Sequence, residues 1–192
     1  MRRRLPADRG GRGRGRRVTG RILAIALIAC ALAAGGAVYY LQVYAFYEEL
    51  PARESIPLTP MGAVEPRPVP VSDFEGIDSA SSPLRFRACF TVEASALAPY
   101  QPYETPTPLI APGWFECFDA EDIAIALEEG RAAAYLSERD FQYGFDRVVA
   151  AYPDGRAYAW HQLSACGTAL YDGDPLPADC PPPPESVTED LR

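Results

Sequence analysis

The sequence contains no lysine, so all 18 of its basic residues are arginine, and its one histidine is His161. These shortages remove whole classes of chemistry. Without lysine there is no Walker phosphate loop, no kinase lysine and no Schiff base for pyridoxal phosphate. One histidine supports neither a multi-histidine zinc site nor a C-x-x-C-H haem attachment. A G-x-S-x-G elbow is absent, as is the C-x-x-C pair of a thiol redox enzyme. A hydrolytic triad on His161 and Ser164 is disfavoured, because residues three apart in a strand point to opposite faces. Beside Trp160, His161 reads as a hydrogen-bonded structural residue. Asp172, Asp174 and Asp179 could hold calcium, but D-G-D is also ordinary turn chemistry. No catalytic residue, cofactor or metal is therefore expected.

What is present is distributed unevenly. Residues 1–21 carry nine arginines and one acid, Asp8; the rest carries nine arginines against 25 acids, a net of 16 negative charges. Such a surface repels nucleic acid and anionic lipid headgroups, so a basic partner, or none, fits it better. Uniform arginine use with abundant alanine and proline is expected from GC-rich bacterial coding.

From Ile22 to Leu41 runs a stretch of twenty uncharged residues, long enough as a helix to cross about 30 Å of hydrocarbon. Arg16, Arg17 and Arg21 precede it and Glu48 and Glu49 follow. The positive-inside rule then predicts a cytoplasmic N-terminus, with Tyr39, Tyr40, Tyr44, Phe46 and Tyr47 as the outer aromatic belt. Two processing alternatives exist: lipidation at Cys30 after Leu27-Ile28-Ala29, and signal-peptidase cleavage after the alanine-rich stretch. Against lipidation, the apolar run continues beyond Cys30. Ala29, Ala33 and Ala37 form a small-residue stripe, with Ala31 and Gly35 on another, where a membrane-protein partner or a second copy can approach closely; common alanine usage explains the spacing equally well. Residues 9–17, RGGRGRGRR, read either as an arginine-glycine box or as a ribosome-binding site translated in frame, with Val18 as the true start.

The expected organisation is a basic N-terminus over 1–20, a transmembrane helix with its belt over 21–47, a proline-rich spacer over 48–72 whose prolines suit extended spacer or edge-strand backbone, a periplasmic domain over 73–181 and a disordered tail over 182–192. In the domain, Leu84 to Val92 alternates as a strand, with Leu84, Phe86, Ala88, Phe90 and Val92 toward the core and Arg85, Arg87, Cys89 and Thr91 opposite. Asp119 caps a helix carrying Ala120, Ile123, Ala124 and Leu127, and Gly130 stops it. A strand at 132–137 follows, then a hairpin, 147–152 and 156–163, turning at Pro153-Asp154-Gly155. The fold class is α+β: one transmembrane helix plus a small disulfide-bonded domain built mainly on an antiparallel sheet with one main helix.

Outside the membrane segment stand Cys89, Cys117, Cys166 and Cys180, an even number suited to two disulfides in an oxidising compartment. Three connectivities are open; Cys89–Cys117 with Cys166–Cys180 is favoured, at about 3 kcal/mol each by loop entropy. Tyr100, Tyr103, Trp114, Phe115 and Phe118 surround proline-rich loop backbone, as a binding face or as the lid on a small core, the lid being favoured.

The runs YYLQVYAFYEE, SSPLRFRACF, APGWFECFDA, DRVVAAYPDGR and WHQLSACG resemble an uncharacterised family of short membrane-anchored proteins of Rhodobacter-type alphaproteobacteria, over residues 19 to about 181. Members are sometimes labelled histidine kinases, a label with no ATP-binding half or lysine here to support it. The resemblance implies lineage and topology and carries over no catalytic residue; it begins just after Val18, which fits the later start. The expected function is a non-enzymatic periplasmic accessory or assembly protein of an inner-membrane complex; a ligand- or partner-sensing domain is the alternative, and a hydrolase using His161 the remote one.

Overall fold

The structure is a computed structural model that describes residues 15–190, with side chains from 20 to 187. Most of the arginine-glycine tract, and the start-site reading that depends on it, lie outside them. The chain divides into two units, one ending at Ala45 and one beginning at Phe46.

The first unit is α1, Gly15–Val43. Its segment Gly20–Val43 has a mean hydropathy of 2.3 and is long and apolar enough to cross a membrane. Its large apolar side chains, among them Leu27 and Leu32, are exposed. An all-round apolar helix of this kind has no soluble face to present, which suits lipid as its solvent.

The second unit is an antiparallel sheet of seven strands: β1 Glu48–Glu49, β2 Ser55–Leu58, β3 Arg67–Asp78, β4 Arg87–Val92, β5 Ala133–Gln142, β6 Phe145–Ala151 and β7 Arg156–Leu163. Its order is β1-β3-β4-β7-β6-β5, and β2 pairs with the first half of β3. The sheet curls until its ends meet. Thr59 N–H donates to Leu136 O at 2.9 Å and Thr59 Oγ1 to Ser137 O at 2.9 Å, while Ser137 Oγ donates to Pro57 O at 2.6 Å.

The proline-rich stretch 48–72, expected to be a spacer, is instead part of this sheet, and Ile56, Leu58 and Val69 lie in its core. The reason is register. Pro57 faces Pro68, and Ser55 faces Pro70. The bonded positions are the intervening ones, as Val71 N–H donating to Glu54 O shows. Every proline of the pair therefore falls where the β2–β3 ladder needs no N–H.

The sheet is covered on both sides. Inside the curl lie Phe74, Phe86, Phe90, Val92, Val149 and Ala159; outside lie Cys89, Val148, Ala150 and Trp160, beneath Phe118 and Ile123. The alternation read for β4 holds, with Ala88, Phe90 and Val92 turned inward and Cys89 outward, but the strand is shorter than read: it starts at Arg87, itself 4% exposed, and Leu84 and Arg85 belong to a 3-10 turn, Pro83–Arg85, before it. The outer face is covered by α2, Ala120–Glu128, whose cap Asp119 accepts the N–H groups of Glu121 and Asp122, and by the loop leading to it. Trp160, Leu58, Ile77, Ile123 and Leu136 are among the fully buried side chains, each contributing about 1.5–3 kcal/mol on burial.

A helix that sequence periodicity does not announce, α3 Ala165–Asp172, follows β7, capped by Ser164 and ended by Gly173 in the left-handed region. The tail expected to be disordered contains α4, Glu185–Asp190, entered after Pro184 as suits proline at a helix start.

Candidate functional site

The buried polar side chains of the second unit hold loops against the sheet. Arg87, pointing out of β4 beneath the loop before α2, donates Nε–H to Leu109 O at 2.7 Å, Nη1 to Leu84 O at 2.8 Å and Phe86 O at 2.6 Å, and Nη2 to Ile110 O at 3.2 Å. Its carbon end lies 5.7 Å from the Phe118 ring centroid. Burial pulls its pKa down to about 10, so it is charged at neutral pH and satisfied by carbonyl dipoles rather than by a carboxylate. Gln162 accepts from Thr107 N–H at 2.7 Å and from Trp160 Nε1–H at 3.0 Å, and donates to Thr105 O at 3.0 Å. Asp146 accepts from Tyr103 Oη at 2.9 Å and from Asp140 N–H at 2.9 Å. Burial raises the Asp146 carboxyl above its ordinary range, and burial beside Asp146 likewise raises Tyr103.

His161 closes one end of the inner core. It is 2% exposed and packs with Phe86 at 4.6 Å and Phe141 at 3.9 Å between centroids. Arg147 donates Nε–H to its Nε2 at 2.9 Å, so Nε2 carries the lone pair; Nδ1 holds the proton and donates it to Pro83 O at 2.6 Å. Burial, then the adjacent Arg147 cation, pushes its pKa down to about 3. Both ring nitrogens are engaged, and Ser164 Oγ is occupied as a cap by Gly167 N–H. No nucleophile–base pair forms between them.

The cysteines join as Cys89–Cys117 and Cys166–Cys180, with Cys30 unpaired and exposed on α1. The first bridge fastens the loop to β4; the second ties α3 to the proline run. Among the described residues no group of three His, Cys, Asp or Glu could hold a metal, and Asp172, Asp174 and Asp179 form no such cluster. Ala29, Ala33 and Ala37 are exposed along α1.

The five aromatics do not form one face. Tyr100 packs on the inner core, whereas Tyr103, Phe115 and Phe118 pack on the outer core, where they act as a lid. Trp114 is half-buried at the loop's tip, T-shaped to Tyr47 at 5.8 Å and to Phe115 at 6.3 Å. It borders a cavity of about 430 Å³ at the β1 edge, where the two sheet faces meet; Phe74 and Phe115 also line it, with Glu49, Glu75 and Glu116 around them. No arginine lines it, and none of the three glutamates belongs to an ion pair among the described residues. Gly76 also lines it, and a Cβ there would lie 2.8 Å from the Phe74 ring. Sequence reasoning found Trp114 and Phe115 but not their acidic companions, which lie on three separate segments and share no motif.

Residues 56–181 match the model of a family described as a family of unknown function, DUF6446. No curated protein and no solved structure matches the chain.

Proposed function

The chain belongs to the DUF6446 family, a family of unknown function, and on that premise we propose that it is a non-enzymatic accessory or assembly protein of a bacterial inner-membrane complex. Its N-terminus is cytoplasmic and its disulfide-bonded domain periplasmic. The observation that carries this reading is the commitment of four buried polar side chains and the half-buried Arg147. Arg87, Gln162, Asp146, Arg147 and His161 all bond to backbone or to one another, holding loops in place. A domain whose ionisable interior is spent on rigidity presents a surface rather than a reaction centre. The apolar α1, with Ala29, Ala33 and Ala37 on one stripe, supports a membrane-protein partner or a second copy beside it.

A periplasmic sensing domain is the second reading, favoured by the aromatic-walled cavity. A hydrolase using His161 is disfavoured by the engagement of both ring nitrogens. The arginine-only, alanine- and proline-rich composition supports GC-rich bacterial coding, and alphaproteobacterial lineage is what the resemblance of runs such as APGWFECFDA implies.

Purification from native membranes in mild detergent, followed by mass spectrometry, tests the proposal. The expected result is a membrane partner recovered at a fixed ratio; a lone monomer after gentle extraction overturns it.

A further inference from the structure

We infer that the cavity at the β1 edge is a recognition site for one cationic side chain, an arginine guanidinium or a lysine ammonium, presented by a protein partner. The inference rests on the accessory reading above for the source of that side chain. Three independent features converge on it. The first is size: about 430 Å³ lies toward the lower end of ligand sites and is ample for one arginine or lysine side chain. The second is the wall. Trp114, Phe115 and Phe74 line the cavity, and aromatic faces attract cations through their quadrupole. Phe74 already carries the chain's own Arg53 guanidinium 5.6 Å from its centroid, so Trp114 and Phe115 are the rings left to meet an incoming cation. The third is charge: Glu49, Glu75 and Glu116 surround the space with no arginine among the lining residues.

The site is also built to hold its shape. One wall is set by the β1–β3 ladder, Glu49 opposite Ile77. The other is fixed to β4 by the Cys89–Cys117 bridge. A pre-formed cavity spares a ligand the ordering cost that a mobile loop would impose. An anion is repelled by the three carboxylates and a neutral side chain gains nothing from them, so charge selects the occupant.

Trp114 supplies the readout, since the only other tryptophan, Trp160, is fully buried. The full chain in zwitterionic detergent is titrated with acetyl-Ala-Arg-Ala-amide, with its neutral citrulline counterpart and with spermidine. A saturable change in emission is expected for the arginine peptide, with a dissociation constant of about 1 mM, as befits a single anchor. The citrulline peptide is expected to bind at least about tenfold more weakly. The double variant Glu75→Gln, Glu116→Gln is expected to lose about tenfold at low salt, while Glu65→Gln, outside the cavity, leaves binding unchanged. No saturable response, equal binding of both peptides, or a double variant that keeps its melting temperature and full affinity overturns the inference. Tighter binding of spermidine than of the peptide also overturns it, by assigning the cavity to free polyamines. Failure here with a membrane partner still recovered removes the cavity's role alone; peptide binding without a recovered partner removes the accessory reading instead.

Discussion

Among single residues, His161 links sequence economy to pH. Its neutral ring donates to Pro83 O and accepts from Arg147, so protonating it would break the second contact and set two cations together. In the unfolded chain its pKa is about 6.5, whereas in the folded protein it is about 3. Between those values the unfolded state binds more protons. The stability tied to this residue is therefore complete above pH 6.5 and falls as pH drops toward 3, by up to about 1.4 kcal/mol per pH unit. Asp78 and Asp146, whose carboxyls burial raises, act in the opposite sense: their contribution is present at low pH and is lost as pH rises through their folded values. The comparison that isolates the histidine is thus between wild type and His161→Gln. The variant is expected to be less stable by about 2–4 kcal/mol at pH 7.5, because the ring leaves a packed site and Arg147 loses an acceptor. It is also expected to lose less stability than wild type between pH 6.5 and 4.5. Melting temperatures at both pH values check this, and parallel pH profiles would show that His161 titrates normally in the fold.

At the scale of elements, the β5–β6 turn and α3 approach each other backbone to backbone through two glycines. Gly144 occupies the left-handed region at φ +82°, and a Cβ on it would lie 2.7 Å from Gly167 Cα. A Cβ on Gly167 would meet the Gly144 carbonyl within contact distance. Gly167→Ala is expected to cost about 2–3 kcal/mol through forced separation of the helix from the turn, whereas Gly113→Ala, which meets nothing within 4 Å, is expected to leave the melting temperature within a degree or two. Equal loss of stability in both variants would show that the close approach of Gly167 to Gly144 is not what makes this position sensitive, since stiffening of the unfolded chain by alanine acts in the stabilising direction. These elements also mark what sequence could reveal. α2 was legible because Asp119, the apolar spacing and Gly130 agree, and the β6–β7 hairpin because Pro153-Asp154-Gly155 separates two apolar runs. For β2 and the first half of β3 the proline density suits spacer and edge strand alike, and the choice between them turns on the partner strand's register, which is a property of the folded pair. α3 has two turns and a small apolar face. The covered face of β4 was illegible for a different reason: Arg87 looks like a surface residue until the loop carbonyls of Leu109 and Ile110 arrive over it. Of the cavity, only Trp114 and Phe115 stood out, because Glu49, Glu75 and Glu116 converge through tertiary structure alone.

For the whole molecule the decisive question is which side of the membrane the disulfide-bonded unit occupies, since charge, redox state and partner choice all depend on it. Two observations of different origin support the proposed outer placement. Nine arginines precede the apolar segment and a net of 16 negative charges follows it, which favours retention of the N-terminal side in the cytoplasm. Four cysteines of the second unit are paired in two bridges, a state that persists in the periplasm and is reduced in the cytosol. The bridges close separations of 28 and 14 residues, so by the loop-entropy estimate each contributes about 3–4 kcal/mol, and a cytosolic copy would lose a large share of its net stability. A C-terminal alkaline phosphatase fusion is therefore expected to be active and a green fluorescent protein fusion dark. A thiol reagent applied to denatured, unreduced protein is expected to label Cys30 alone, with four further sites appearing after reduction. A fluorescent fusion together with five reactive thiols before reduction would place the unit in the cytosol, and the membrane orientation and the proposed periplasmic partner would fall with it.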